Sequence, residues 1–247
     1  MKFHQLLQKD WELLKGEPLK EKLKHIWLYY KWHMGALLLL VIFIASTIYS
    51  NVAASNCVLS GIFLNPTAPS YTVLSHGEEF LTAGSYAPGS GVLFDTMHYS
   101  SNPDAEDALS VYETFQLLIA KAHAGELDIL VTGRSALNQL IYNEFFLDLN
   151  QFLTPEQIQA YKGQFLYMDK AFLAQLGDLS AAPAAYPDPT KPELMVEPVP
   201  VLVDIRGSEV ISTLYGDSTG LYALGFVVGG RHPETARNYL DYLMKQQ

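Results

Sequence analysis

The chain has 247 residues, 49% of them hydrophobic and 17% charged, with one cysteine and a net charge of −10. That balance excludes a disordered, collagen-like or disulfide-stapled molecule, and the length suffices to bury a core. A single cysteine forms no internal disulfide, so stability outside the cytoplasm must come from packing, and a zinc site built on several thiolates is excluded.

Charge is unevenly shared along the chain. Residues 1–33 carry seven Lys against four Asp/Glu, whereas residues 51–247 carry nine Lys/Arg against 22 Asp/Glu, a balance of −13. In the first segment Phe3, Leu7, Trp11 and Leu14 fall on one helical face, and Gly16 breaks the pattern. Pro18 then starts a second helix with Leu19, Leu23, Ile26 and Tyr30 on its stripe. Residues 1–33 therefore read as a cytoplasmic leader of two short amphipathic helices. It would lie on membrane lipid, dock on the helices of a membrane-protein partner, or serve as a plain anchor.

From Met34 to Ala54 no side chain is charged, and Leu37 to Ile44 is an unbroken apolar run. Roughly 20 residues at ~1.5 Å rise cross a ~30 Å hydrocarbon core, so residues 34–54 read as one transmembrane helix. Lys20, Lys22, Lys24 and Lys31 precede it, and no charge follows until Glu78, which places the amino terminus in the cytoplasm and the rest outside the cell. Trp27, Tyr29, Tyr30 and Trp32 sit where amphipathic rings settle among headgroups. Val52 and Ala54 also have the spacing of a signal-peptide cleavage site, but a 33-residue leader is long for a signal peptide's charged region, which favours retention. Asn56 before Cys57 is wrong for a lipobox, so Cys57 reads as an ordinary buried thiol.

Residues 55–247 read as one extracytoplasmic α/β domain. Short apolar runs at 57–64, 92–99, 127–132, 199–205 and 221–228, bounded by turn formers, predict strands. Between the second and third, Asn102 caps a predicted helix with Pro103 at its first position. Val111, Phe115, Leu118 and Ala122 repeat on one face until Gly125. Strand, crossover helix and strand imply a parallel pair, hence a mostly parallel sheet flanked by helices. Ser135 is expected to cap a helix bearing Leu137, Leu140 and Ile141, and Thr154-Pro155-Glu156-Gln157 has the spacing of a capping box. Six prolines between 183 and 200 mark an extended surface connection. Ala236, Tyr239, Leu240 and Leu243 give a closing helix over 233–244.

Two stretches carry a family likeness. Glu126-Leu127-Asp128-Ile129-Leu130-Val131, followed by Phe146-Leu147-Asp148-Leu149 with Phe152-Leu153, resembles the solute-binding proteins of ABC transporters, in which a strand opening on Asp leads to such an element. The run from Arg231-His232-Pro233-Glu234 to Tyr239-Leu240-Asp241-Tyr242-Leu243 is similar to that family's late helix. The arrangement is also similar to small membrane-anchored envelope proteins of Gram-positive bacteria. The resemblance spans about residues 90–153 and 199–245 and implies a periplasmic-binding-protein-like fold. In that family a whole second lobe is inserted between these stretches, whereas only 45 residues separate Leu153 from Val199. A single lobe offers an open surface, without the hinge closure that encloses a solute.

Candidate chemistry is sparse. Gly216-Asp217-Ser218-Thr219-Gly220 matches the G-x-S-x-G nucleophile elbow, but a strand follows it instead of a helix, and no acid lies between Ser218 and His232, so a polar turn is the better reading. Asp95 and His98, with His76 or His123, make no recognisable metal spacing. Neither catalytic residues, a metal nor a cofactor is expected. Open parallel sheets gather ligands at the carboxyl ends of their strands. Those ends are Tyr99-Ser100, Thr132-Gly133-Arg134-Ser135 and Arg206-Gly207-Ser208. Two of them join an Arg to a Gly and a hydroxyl at the start of a predicted helix, where free N–H groups favour an anion. The candidate ligand-binding residues are Ser100, Thr132, Arg134, Ser135, Arg206 and Ser208, with Arg134 and Arg206 flanking the carboxylate of a small ligand or of a partner. The alternative is that both are surface arginines paired with nearby acids. The acidic outer segment disfavours nucleic acid as a partner.

The expected function is binding without catalysis, by a single-pass accessory or sensory protein. The alternative is a structural subunit docking through residues 1–33, and the last is a tethered serine hydrolase using Ser218.

Overall fold

The computed structural model describes Pro18, Lys20, Trp27 and residues 31–32, 34–46, 56–100, 109–175, 186–216 and 220–245. The chain divides into two compact units, Met1–Ser55 and Asn56–Gln247. In the first, residues 34–46 are helical and every one of them is exposed, including Leu37 to Ile44. No helix among the described residues is long and apolar enough to cross a membrane. Most of the leader, and residues 47–54 of the expected span, lie outside the described residues.

The second unit is built on a six-stranded sheet of order β2-β1-β5-β8-β7-β6. Strand β1 (Cys57–Leu64) leads through α1 (Ser70–Ala83) to β2 (Gly91–Met97), which pairs parallel with β1. Two two-residue strands, β3 (Tyr99–Ser100) and β4 (Leu109–Ser110), pair outside the sheet. Helix α2 (Val111–Ala124) then leads to β5 (Ile129–Gly133), which pairs parallel with the other side of β1. Helices α3 (Arg134–Tyr142), α4 (Leu149–Phe152) and α5 (Pro155–Tyr161) precede β6 (Phe165–Asp169), which is followed by α6 (Lys170–Gln175). The rest is β7 (Pro198–Asp204), α7 (Glu209–Tyr215), β8 (Tyr222–Phe226) and α8 (Pro233–Met244).

The sheet is mixed rather than mostly parallel. The pairs β5·β8, β7·β8 and β6·β7 are antiparallel. Helix length explains this. Fourteen-residue α1 and α2 run about 21 Å, enough to carry the chain back along a strand of about 23 Å so that the next strand starts at the same edge as the last. Seven-residue α7 runs only about 10 Å, so the chain re-enters the sheet where it left, and β8 returns antiparallel to β7. The second and third predicted strands are parallel to each other, as expected, but β1 lies between them.

Strands buried on both faces read as continuous apolar runs, and this is what β1 and β5 do. Leu59, Phe63, Ile129 and Val131 enter the layer under α1, α7 and α8, whereas Ile62, Leu64 and Leu130 enter the layer under α2 and α3. Local signals set the ends. Ser110 caps α2 through a capping box with Glu113, and Gly125 closes it in the left-handed region at φ 66°. The helix thus begins at Val111, not at Pro103; Asn102 and Pro103 lie outside the described residues. Thr154 and Gln157 form the expected capping box on α5. The cap of α3 is Gly133, not Ser135, which sits one residue inside the helix. The proline-rich stretch is firmly tied where it is described: Tyr167 N–H donates to Pro189 O, and the Asp169 carboxylate accepts from the N–H groups of Val196 and Glu197. Its last residues, 198–200, belong to β7.

Candidate functional site

The connections leaving β1 and β2 diverge: one joins β1 to its neighbour on one side, the other brings the chain back to β1's opposite side. Such a switch point leaves a crevice beyond the carboxyl ends of the two central strands. In this fold the crevice opens between β1 and β5 and is a cavity of about 270 Å³. Its walls are the ends of those strands (Leu64, Asn65, Thr132, Gly133), the start of α3 (Arg134, Ser135), and three tyrosines, Tyr99, Tyr215 and Tyr222.

Each wall is held by a specific contact. Asn65 adopts φ 50°, a conformation that asparagine tolerates, and its side chain grips Tyr99 from both sides. Tyr99 N–H donates to Asn65 Oδ1 at 2.8 Å, and Asn65 Nδ2 donates to Tyr99 O at 3.1 Å. The Tyr99 hydroxyl so placed hydrogen-bonds Ser135 Oγ at 2.9 Å. Burial pushes the Tyr99 phenol above its ordinary pKa, with the Ser135 bond opposing it, so the group stays a neutral donor or acceptor. Tyr215 and Tyr222 stack at 4.4 Å between centroids. The Tyr215 phenol is raised by burial, then by Tyr222.

The side of the crevice at α3 carries the positive end of the site. Gly133 provides no side-chain cap, so the first N–H groups of this nine-residue helix have no side-chain acceptor at the cap. Arg134 is 73% exposed, and its Nη2 lies 3.7 Å from Asp188 Oδ2. Asp188 is itself held below the usual carboxylate range by the N–H and hydroxyl of Thr190, with Arg134 a lesser cause. A long, exposed pair of this kind contributes little and leaves the guanidinium available.

Of the six residues singled out from the sequence, three line the cavity: Thr132, Arg134 and Ser135. Thr132 is fully buried, and its hydroxyl donates to Gly133 O at 3.1 Å. Ser100 pairs with Ser110 in the small β3·β4 ladder. Arg206 does not join Arg134. Asp204 and Thr132 are both in register with Ala223, so β8 stands between the two arginine-bearing ends. Arg206 turns back onto Asp204, with Nε at 2.7 Å from Oδ2 and Nη2 closer still. Ser208 precedes α7, buried, its hydroxyl without a hydrogen-bond partner among the described residues. The two-arginine arrangement is therefore replaced by a one-arginine site. Asn65, Tyr215 and Tyr222 were not singled out. Asn65-Pro66 after a strand is a turn signal that marks the first of them, whereas no local pattern brings Tyr215 and Tyr222 to this edge.

The remaining candidates separate. Ser218 lies outside the described residues. Its flanks run from the end of α7, where Gly216 has φ 66°, to the start of β8, the reverse of a strand-to-helix elbow. His76 is buried and hydrogen-bonded to Tyr239, and Asp95 Oδ1 accepts from Thr96 N–H. Among the described residues no three His, Cys, Asp or Glu side chains converge on a common point.

At the opposite edge of the sheet stands the most heavily bonded carboxylate of the site-forming strands. Asp128, immediately before β5, accepts from Ser60 N–H (2.7 Å), Ser60 Oγ (2.8 Å), Arg231 N–H (2.6 Å), His232 N–H (2.9 Å) and His232 Nδ1 (2.8 Å). Burial raises its pKa, but the bonds from His232 and Ser60 outweigh it and hold the group below the usual range. This clamp ties β1 and β5 to the loop between β8 and α8. Comparisons of the chain with protein families, with curated proteins and with solved structures find no match.

Proposed function

We propose that the chain is a membrane-anchored binding protein: a cytoplasmic leader, one span over residues 34–54, and an extracytoplasmic α/β body that takes an anionic group in the β1/β5 crevice without transforming it. The observation that carries the reading is the crevice itself. An uncapped helix start, one available guanidinium and the Tyr99–Ser135 hydroxyl pair converge where an open α/β sheet recruits ligands. Among the described residues this arrangement offers donors to a carboxylate and no nucleophile activated by a base. For the anchor, support comes from the helix at residues 34–46, whose apolar run from Leu37 to Ile44 is exposed throughout. The likeness to one lobe of a solute-binding protein fits an open site that holds a partner's carboxylate or a small solute loosely.

Affinity isolation of the full-length chain from mild detergent, compared with Arg134→Glu, tests both parts. The expected result is recovery in the membrane fraction and loss of the bound species on charge reversal. Binding and assembly properties untouched by Arg134→Glu overturn the crevice. Mature protein beginning near Ser55 and free in the medium overturns the anchor. Loss of the same species on deletion of residues 1–18, with Arg134→Glu silent, favours instead the structural subunit docking through its leader.

A further inference from the structure

The walls of the β1/β5 crevice also limit what an anion bound there can be attached to. Its volume of about 270 Å³ is about nine times the ~30 Å³ share of a water molecule, so a carboxylate alone leaves most of the space open. The neutral polar side chains around that space are turned toward the protein. Both ends of the Asn65 amide are taken by the main chain of Tyr99, Thr67 Oγ1 donates to Leu214 O at 3.3 Å, and Thr132 Oγ1 donates to Gly133 O at 3.1 Å. The Tyr215 hydroxyl points at Val131 O, 3.5 Å away. At the start of α3, by contrast, donors remain. Tyr99 and Ser135 share one bond between two hydroxyls, which leaves one proton for an anion beside the Arg134 guanidinium. Much of the remaining wall is ring and aliphatic surface, from Tyr215, Tyr222, Leu64 and Leu221. Two glycines seat the Tyr222 ring against Tyr215: a Cβ at Gly220 would come within 2.8 Å of its Cε2, and one at Gly133 within 3.5 Å of its Cε1.

On the reading that the crevice is the anion site, we infer that it takes a small aromatic monocarboxylate, the carboxylate at the start of α3 and Arg134 and the ring against the tyrosines and leucines. A polyol of the same charge is a poor fit, because burying its hydroxyls beside groups already engaged with the main chain leaves them without partners. An aromatic ring asks for none. It buries apolar area and meets the tyrosine rings by face or edge.

Calorimetric titration of the full-length chain in mild detergent with acetate, gluconate and phenylacetate varies the body of the ligand at constant charge. Phenylacetate should bind saturably and at least tenfold more tightly than either of the others. Arg134→Glu should abolish its binding, and Tyr222→Leu should bring the ratio of phenylacetate to acetate affinity to threefold or less. Equal affinities for the three ligands, all lost in Arg134→Glu, would overturn the aromatic body and leave the anion site standing, as would a ratio unchanged by Tyr222→Leu. Phenylacetate binding that survives Arg134→Glu, or no saturable binding of any of the three, would overturn both. Should Tyr222→Leu fail to fold, the order of the three ligands in the unaltered protein decides the matter alone.

Discussion

Asp128→Asn removes one carboxylate oxygen and the charge while preserving shape, and the consequence follows from the five donors aimed at that group. On the Oδ1 side the amide oxygen still accepts from Arg231 and His232. On the Oδ2 side an NH₂ now faces the N–H of Ser60 and Nδ1 of His232, so one buried main-chain donor is left without an acceptor. A buried donor stranded in this way costs about 1–3 kcal/mol, and the lost charge weakens the remaining bonds, giving an expected loss of about 3 kcal/mol. Asp128→Ala strands three main-chain donors and should cost about 4 kcal/mol or more, a large part of the ~5–15 kcal/mol that holds a domain together. All three tryptophans, at 11, 27 and 32, precede the second unit, so unfolding in urea is best followed by tyrosine near-ultraviolet circular dichroism. Acid provides an internal control. The folded pKa lies below the unfolded value, so the stabilisation is complete above about pH 4 and is lost as pH falls through the folded value. The gap between the wild type and Asp128→Asn should therefore be widest at pH 7 and shrink toward pH 3. A variant within about 0.5 kcal/mol of wild type at pH 7, or a gap unchanged by acid, refutes the clamp.

His76 titrates with the opposite economy of charge: the folded protein refuses a proton that the unfolded chain accepts. Stability should fall from about pH 6.5 to about pH 4 by about 3 kcal/mol, and His76→Gln should flatten that slope in the same urea series. Leu118→Ala, on the fully buried face of α2, should lower stability by about 3 kcal/mol, as measured by urea denaturation. Gly225→Ala puts a Cβ at 2.3 Å from the buried Phe146 ring, and a loss of about 1–3 kcal/mol is expected; an unchanged urea midpoint would show that the ring moves freely.

The parts of this fold that were legible are those encoded locally. Gly125 and the Thr154 capping box mark helix ends because they satisfy main-chain groups within a few residues, and the strand runs show because burial on two faces leaves no polar alternation. What stays hidden is of two kinds, local signals that the apolar stripe does not locate and partners far along the chain. The capping box of Ser110 and Glu113 that starts α2 is of the first kind. Helix α1 was overlooked because its buried positions are Val73, His76, Gly77 and Phe80, only two of them apolar in the ordinary sense. Strand direction was misjudged because nothing in β8 records whether the preceding helix is long enough to cross the sheet. For the site, Thr132, Arg134 and Ser135 were legible from the strand-end rule. That Arg206 turns back on Asp204 is a matter of strand order, which places β8 between β5 and β7.

The crevice should take its anion against the charge of its own body, which is −13 between residues 51 and 247. That field repels an anion on approach, whereas the contacts that hold it in the crevice act at hydrogen-bond range, where added ions intervene little. The Debye length shrinks from about 30 Å at 0.01 M to about 10 Å at 0.1 M, so salt removes the long-range part and leaves the local part. Acetate, as a probe of the crevice, should therefore bind as well or better at the higher salt. If acetate weakens severalfold across that range, the α3 terminus and Arg134 do not hold it at contact range.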